Sequence, residues 1–135
     1  KARELFERGT KADPSHAPVW QAWAIFEMKE GRNPARALEI LNIGMCYTRD
    51  RKGRSTLFCA QGRALTRLGK CEEAEAAFKE SLSLDERNAH THYFYASELL
   101  EKLGRREEAC QHYRRALELN PKNRKAKKGL KRLGC

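Results

Sequence analysis

The sequence predicts an all-α protein built from repeated helix pairs. Apolar residues recur at helical spacing along the chain, and the strand-like alternation of apolar and polar residues is absent. In addition, the segment AFKESLSLD at 77–85 returns 35 residues later as HYRRALELNP at 112–121. A repeat of this length corresponds to one pair of helices that stacks on the next pair.

The length and composition are those of one folded domain. The 135 residues are 40% hydrophobic, which is enough to bury a core. No stretch approaches the ~18 apolar residues of a membrane span, and the segment that starts at Lys1 lacks the apolar core of a secretory signal. We therefore expect no membrane partner. Because Lys1 falls inside a repeat, we also expect further repeats of the same protein upstream.

The cysteines predict reduced thiols rather than a disulfide framework. Their number is odd, they lie far apart and they include no Cys-x-x-Cys pair. This pattern is typical of an intracellular, reducing compartment. We expect Cys59 and Cys110 to pack inside helices as small apolar side chains, and Cys135 to be exposed. The five positions are Cys46, Cys59, Cys71, Cys110 and Cys135.

The net charge of +10 is concentrated in two segments. Residues 122–135 hold seven cations and no acid, which leaves 21 cations against 18 acids elsewhere. Residues 49–54, with the sequence RDRKGR, contribute the remaining +3, and we expect them to form a loop. Such segments either neutralise RNA phosphates or only solubilise a surface. The candidate basic patch is Arg49, Arg51, Lys52, Arg54, Lys125, Lys128, Lys131 and Arg132.

Proline, glycine and capping residues divide the chain into helices. Asn33 caps a helix that begins with Pro34, a favoured start. Gly31 is predicted to end the preceding helix in the left-handed conformation, and Gly69 and Gly104 to make the turns between later helices. The predicted helices span about 1–12, 17–30, 34–47, 55–68, 71–84, 89–103, 106–119 and 122–133.

The later helix pairs resemble the tetratricopeptide repeat. The two series that carry the resemblance are Phe58, Gly62, Leu65, Gly69, Ala74, Phe78, Ser81 and Tyr93, Ala96, Leu100, Gly104, Ala109, Tyr113, Ala116, Pro121. In both, small residues let neighbouring helices approach and large side chains fill the space between pairs. The resemblance implies a right-handed α-α superhelix, a solenoid of antiparallel helix pairs, closed by a C-terminal capping helix. We expect Gly129 to weaken that last helix.

The first part of the chain is similar to the related HAT (half-a-tetratricopeptide) variety. Its pattern of paired aromatics, a glutamate and then Ala-Arg is present as Trp20, Trp23, Glu27, Ala35 and Arg36, with Ala2, Arg3, Phe6, Glu7 and Arg8 as the end of an earlier unit. One helical-repeat domain at 1–135 is therefore expected. It divides into the second helix of a truncated repeat at 1–16, repeats at 17–48, 55–88 and 89–121, and a basic capping helix at 122–135.

The family resemblance also implies where a ligand binds, namely on the concave wall formed by the first helix of each pair. Phe94 and Tyr95 stand out because Tyr93 already fills the core aromatic position. They either hold an apolar side chain or a base, or one of them packs against the capping helix. The predicted concave residues are Gln21, Ile25, Lys29, Cys59, Arg63, Arg67, Phe94, Tyr95 and Glu98.

No pattern of residues predicts an enzyme, a cofactor or a metal site. There is no phosphate-binding loop or nucleophile elbow, and His90 and His92 point to different faces of a helix. Some tetratricopeptide proteins bind the terminal carboxylate of chaperone tails with lysine and asparagine. At the corresponding positions this chain has non-matching residues, namely Gln21, Ile25, Ala60, Thr91 and Tyr95.

Three functions are compatible with these features of the sequence. The resemblance favours a non-catalytic protein-interaction scaffold that binds a peptide or helix of a partner on its concave face. The HAT-like part and the basic segments instead favour an RNA-binding module of RNA processing. A third interpretation is a repeat sensor segment within a larger multidomain protein.

Overall fold

The computed structural model describes residues 1–135, which form eight helices and no strand. The helices are α1 (Ala2–Ala12), α2 (Ala17–Lys29), α3 (Pro34–Tyr47), α4 (Arg51–Arg67), α5 (Cys71–Leu84), α6 (Ala89–Phe94, continued by a π-helical segment Tyr95–Leu100), α7 (Arg106–Leu119) and α8 (Arg124–Leu133). The all-α superhelix of helix pairs is thus confirmed. None of these helices combines the length and apolar character that crossing a membrane requires.

Each helix packs on its neighbours along the chain, and α4 also joins the two halves of the core. One apolar cluster includes Trp20, Ile40 and Leu57, whereas the other includes Phe78, Tyr95 and Tyr113. Helix α4 contributes to both, because residues on different faces of it belong to the two clusters. A core of this kind, which is extended by each added pair, is characteristic of a solenoid.

The turn residues behave as predicted at three positions and differently at a fourth. Gly69 and Gly104 adopt φ of +79° and +75°, and the Asn33 side chain caps α3 by accepting a hydrogen bond from the Arg36 amide. Gly31, however, does not take the left-handed conformation, which falls instead on Arg32 at φ 49°. A Cβ at Gly31 would lie 2.6 Å from Glu27 Oε1, so close packing rather than backbone conformation favours glycine there.

The basic segment 49–54 is not a loop, because α4 begins at Arg51. Asp50 caps this helix through its carboxylate, which accepts a hydrogen bond from the Gly53 amide at 2.8 Å. A carboxylate at this position also complements the positive end of the helix dipole. The expected loop was wrong because Asp50 caps a helix that begins at Arg51, before the predicted start at about 55.

The π-helical segment accommodates one extra residue in the third repeat. Gln61 of α4 and Tyr95 are equivalent positions of successive repeats, because each donates to the second helix of the preceding pair, Gln61 to Asn42 of α3 and Tyr95 to Glu75 of α5. These two residues are 34 positions apart, whereas the turn glycines Gly69 and Gly104, which follow the π-helical segment of the third repeat and its equivalent in the second, are 35 apart. A helix with one added residue keeps its packing on both sides of the insertion by widening locally into a π turn.

Helix α1 is joined to α2 through a buried carboxylate. Arg3 donates to Glu27 at 2.9 and 3.1 Å, and the Trp23 indole donates to the same carboxylate at 3.2 Å. Glu27 is only 3% exposed. Because a buried charge requires partners, this contact explains why a buried glutamate follows the aromatic residues of α2.

The expectation that all cysteines are reduced was wrong for one pair. Cys110 in α7 and Cys135 beyond α8 form a disulfide. Cys110 is buried as expected and Cys135 is exposed. The sequence did not indicate this pair because the two residues are 25 positions apart and meet only once α8 has packed on α7. Cys46, Cys59 and Cys71 are free thiols.

Candidate functional site

The first helices of three consecutive pairs surround an open cavity of about 300 Å³. We call it the α2–α4–α6 groove. Five predicted residues lie together in its lining, namely Gln21, Ile25, Cys59, Arg63 and Phe94. The other lining residues are Thr56, Asn88 and His90. This volume lies at the lower end of small-ligand pockets and suits one or two side chains of a longer ligand.

A cation and an aromatic ring in contact form one wall of the groove. The Arg63 guanidinium carbon lies 3.8 Å from the centre of the Phe94 ring, and Arg63 is only 6% exposed. The ring face is therefore covered by the guanidinium, an arrangement favoured by the negative potential of the aromatic face. The remaining surface of Phe94 is half-buried and borders the cavity.

The charge of Arg63 is balanced inside the groove wall. Its Nε donates to Glu98 Oε2 at 3.2 Å, and Arg67 lies 3.7 Å from the same oxygen. Glu98 Oε1 is shielded from solvent and has no hydrogen-bond partner. Both predicted arginines are therefore engaged by a predicted glutamate, and the wall has little free positive charge for an acidic ligand.

A buried network of hydroxyl groups fixes the spacing of α4, α5 and α6 below the groove. Ser81 Oγ lies 2.7 Å from Thr91 Oγ1 and donates to the Ser55 carbonyl at 2.7 Å. Asn88 donates from Nδ2 to Ser55 Oγ at 3.0 Å, which orients this lining residue. Because each hydroxyl has a partner, the network stabilises one relative position of the three helices.

The Cys59 thiol is not an activated nucleophile. Burial raises its pKa to about 11, and this effect outweighs the hydrogen bond from Thr91 and the nearby Arg63 guanidinium, both of which favour the thiolate. The thiol therefore stays protonated near neutral pH, whereas covalent chemistry requires the thiolate. Cys59 contributes shape and apolar surface to the groove.

Tyr95 does not lie in the groove, and this part of the prediction was wrong. Its side chain is 2% exposed, its ring stacks on Phe78 at 5.3 Å, and its hydroxyl donates to Glu75 at 2.5 Å. The prediction placed Tyr95 by adding 35 residues to a concave position of the second repeat. Before the π-helical segment, however, equivalent positions of the two repeats are 34 residues apart. Tyr93, assigned to the core, is only half-buried and contacts Tyr113 at 5.9 Å.

Other groove residues were missed or lie outside it. Thr56 precedes Cys59 by one helical turn on the same face, a spacing from which it was predictable. Asn88 and His90 lie at the junction between a turn and α6, where periodicity carries no signal. Lys29 is exposed near the end of α2 and does not line the cavity.

Several residues of the candidate basic patch have structural partners. Arg54 donates to the carbonyls of Met45 and Thr48 at 3.2 and 3.0 Å, and so supplies hydrogen bonds to backbone carbonyls at the end of α3 that have no partner within the helix. Arg51 donates to a carbonyl of α5 at 3.3 Å, and Arg132 to Glu101 at 2.6 Å. The exposed remainder consists of Arg49, Lys52, Lys125, Lys128 and Lys131.

The largest cavity lies away from the groove, between α1, α2 and α3, and measures about 620 Å³. We call it the tryptophan cleft, since Trp20 and Trp23 form its base. Both indoles are structurally engaged, because Trp20 donates to the Pro14 carbonyl at 2.7 Å and Trp23 donates to Glu27. Tyr47 lies parallel to Trp20 at 6.2 Å. These contacts account for the aromatic residues without a ligand.

Comparison with known proteins gives one family and one fold. A family model described as "Tetratricopeptide repeat" matches residues 59–124. The chain is similar to the first TPR domain of the human RPAP3 protein, at 25% identity over 90% of this chain and 91% of that one, with a TM-score of 0.76. It is also similar to the first TPR of Spaghetti (RPAP3) bound to the HSP90 peptide SRMEEVD, at 24% identity over 90% and 95% of the two chains and a TM-score of 0.76.

A plant structure shares the same fold. The Arabidopsis OM64 TPR domain is 24% identical, with 87% of this chain and 93% of that chain covered and a TM-score of 0.70. No curated protein matches the sequence. The family model and the fold agree with the glycine, alanine and aromatic spacing of the helix pairs, so residues 59–124 are tetratricopeptide repeats and the chain has the fold of a TPR domain.

Proposed function

We propose that this chain is a non-catalytic protein-interaction scaffold whose α2–α4–α6 groove binds a peptide or helix of a partner protein. The observation that carries the proposal is the meeting of three successive first helices at one open, partly apolar cavity. The RPAP3 relative in complex with an HSP90 peptide supports a peptide ligand for this fold. On this proposal the groove lies on the concave face of the superhelix.

The groove chemistry favours a ligand with an apolar anchor. Ile25 and the free edge of Phe94 supply apolar surface, whereas Gln21 offers hydrogen-bonding groups for a peptide backbone. The arginine charge is taken up by Glu98. We therefore infer that this chain does not select an acidic chaperone tail such as SRMEEVD.

The HAT-like interpretation of the first repeat keeps an RNA ligand as the alternative. The exposed basic residues of α8 and of the α4 start supply charge, but Arg51, Arg54 and Arg132 already donate to groups of the protein. The favoured ligand is therefore a peptide, and RNA enters as an arm of the test.

The experiment selects ligands from a display library of linear peptides on the immobilised protein and measures affinity by fluorescence polarisation. We expect ligands with a large apolar residue, and a loss of about tenfold or more in the Phe94→Ala variant, since central aromatic contacts dominate such interfaces. The matched control is Tyr47→Ala, which removes an exposed aromatic from the tryptophan cleft and should leave affinity unchanged.

The acidic peptide SRMEEVD and single-stranded oligouridine RNA are measured in parallel. Tight binding of SRMEEVD that depends on Arg63 would contradict the inferred preference. RNA binding that survives substitution of Lys125, Lys128 and Lys131 by glutamine but is lost in Phe94→Ala would replace the peptide proposal by an RNA site. RNA binding that is lost with those lysines and in moderate salt reflects surface charge only.

A further inference from the structure

The disulfide between Cys110 and Cys135 links the segment after the C-terminal end of α8 to α7. The two residues are 25 positions apart, and the intervening segment contains the whole of α8. On its inner face α8 packs through Ala126, which is fully buried. The disulfide is thus a covalent link that holds α8 against α7.

The two cysteines differ in their exposure to solvent. Cys110 is 5% exposed and lines one surface cleft, whereas Cys135 is exposed and borders that cleft and a second one. Thiol–disulfide exchange requires an incoming thiolate to reach one sulfur along the S–S axis. The geometry therefore directs attack to Cys135 Sγ and makes Cys110 the leaving group.

The surroundings of Cys110 favour its departure as a thiolate. Arg106 and Arg114 lie one helical turn before and after Cys110 on α7, and both line the same cleft as the disulfide. Nearby guanidinium groups stabilise a thiolate, and a more stable leaving thiolate speeds exchange. Glu107 is the one acid in this cleft.

We propose that Cys135 is a thiol–disulfide exchange site for a low-molecular-weight thiol such as glutathione, and that exchange there releases α8. In the first step a thiolate RS⁻ forms a bond to Cys135 Sγ, the Cys110–Cys135 bond breaks, and its electron pair leaves with Cys110 as thiolate. A second RS⁻ attacks the thiol-derived sulfur of the adduct, forms RSSR and leaves Cys135 as thiolate. Two electrons pass from two thiols to the protein.

Reduction of the disulfide leaves only noncovalent contacts to hold α8 against the rest of the protein. Arg106 donates to the Leu133 carbonyl at 2.6 Å and to the Gly134 carbonyl at 3.3 Å. These exposed hydrogen bonds hold the last turn of α8 much less firmly than a covalent bond, so α8 opens more often while the other helices stay packed. The exposed lysines Lys127, Lys128 and Lys131 then become substrates for trypsin.

The test incubates the oxidised protein with glutathione and follows it by intact-mass and peptide mass spectrometry. We expect one glutathione adduct at low thiol excess, located on Cys135, with Cys110 as a free thiol. Tryptic cleavage within α8 should accelerate about tenfold or more on reduction, because cleavage follows the population of the open form. Cleavage of α2 to α6 should not change.

Two variants give matched controls. Cys135→Ser, at an exposed site that does not disturb folding, should be cleaved in α8 at the fast rate with and without reductant. Cys46→Ser removes an exposed free thiol and should behave like the parent protein. Three results would each overturn the proposal. They are an adduct located on Cys110, the absence of the Cys110–Cys135 disulfide from protein prepared without reductant, and α8 cleavage that is equally fast with and without reductant.

Discussion

The guanidinium of Arg63 lies over the ring of Phe94, with 3.8 Å between its carbon and the ring centre. The two residues belong to successive first helices and are separated by thirty-one positions in the sequence. Their contact defines the wall of the groove, and Glu98 completes it by accepting from Arg63 Nε. The stability of this wall and its ligand binding can therefore be tested with separate substitutions.

Replacing Arg63 by methionine should destabilise the protein by about 1 to 3 kcal/mol, because Glu98 then loses its shorter ion pair while most of its carboxylate stays shielded. The double variant Arg63→Met/Glu98→Leu should recover much of that loss, since no buried charge is left. Urea unfolding of the two variants and the parent measures both changes. Equal losses in the single and double variants would contradict the role of Glu98.

Gly129→Ala should destabilise α8 although alanine is the better helix former. A Cβ at this position would lie 2.5 Å from Tyr113 Cζ, so α8 must shift away from α7. The overpacking cost of about 1 to 3 kcal/mol exceeds the gain of about 1 kcal/mol in helix propensity. Thermal unfolding of the oxidised protein measures the balance, with Lys128→Ala as the exposed control. A stabilised Gly129→Ala variant would show that the predicted weakness of this glycine is correct.

Gly69→Ala should cost about 1 to 2 kcal/mol from backbone conformation alone. Its φ is +79°, yet a Cβ added there would have no atom within 4 Å, so crowding does not contribute. Gly69→Asn should cost less because asparagine tolerates the left-handed conformation. At Gly104, where φ is +75°, the alanine variant should likewise lose more stability than the asparagine variant. Equal losses for alanine and asparagine in urea unfolding would contradict this explanation.

Stability should fall as the pH drops below about 7, because the buried His92 and the half-buried His112 stay neutral in the fold. His92 Nδ1 lies 2.9 Å from His112 Nδ1, and His92 Nε2 donates to the Glu86 carbonyl. Burial, with His92 nearby, lowers the pKa of His112 to about 4, and burial also lowers the pKa of His92. The unfolded chain takes up these protons near pH 6.5, so the unfolded state is stabilised first as the pH falls towards 4.

The pH effect is measured as the urea midpoint at pH values of about 7.5, 6.5 and 5.5, which span the ordinary histidine pKa. The double variant His92→Gln/His112→Gln should show a smaller decrease over this range than the parent protein. Glu108 and Glu86 also lie near the pair and favour the charged imidazoles, which limits the slope. Parallel decreases in both proteins would assign the effect to other groups.

Deleting Ser97 should be tolerated, because it removes the extra residue of the π-helical segment Tyr95–Leu100. The shortened helix regains the 34-residue register and can form regular α-helical hydrogen bonds. Deleting Gln61 from α4, which has no extra residue, should instead rotate half of that helix out of register and unfold the repeat. Thermal unfolding followed by far-UV circular dichroism compares the helix content and stability of the two deletion variants. Unfolding of the Ser97 deletion would contradict the insertion hypothesis.

Local signals in the sequence were sufficient for the helices and their turns. The cap at Asn33 and the glycines at 69 and 104 act within one turn of the chain, so their residue types predict the observed conformation. The same holds for five of the groove residues, which follow from regular helix pairs. Where the local rule had a competing interpretation, as at Gly31 and the segment 49–54, the prediction failed.

The tertiary structure alone decided the residues that depend on register or on distant contacts. Tyr95 is buried outside the groove because one extra residue widens the helix, and its side chain does not signal that widening by itself. Cys110 and Cys135 meet because α8 folds back on α7. Periodicity describes which face of a helix is apolar, whereas the packing of separate helices determines which residues on that face touch one another.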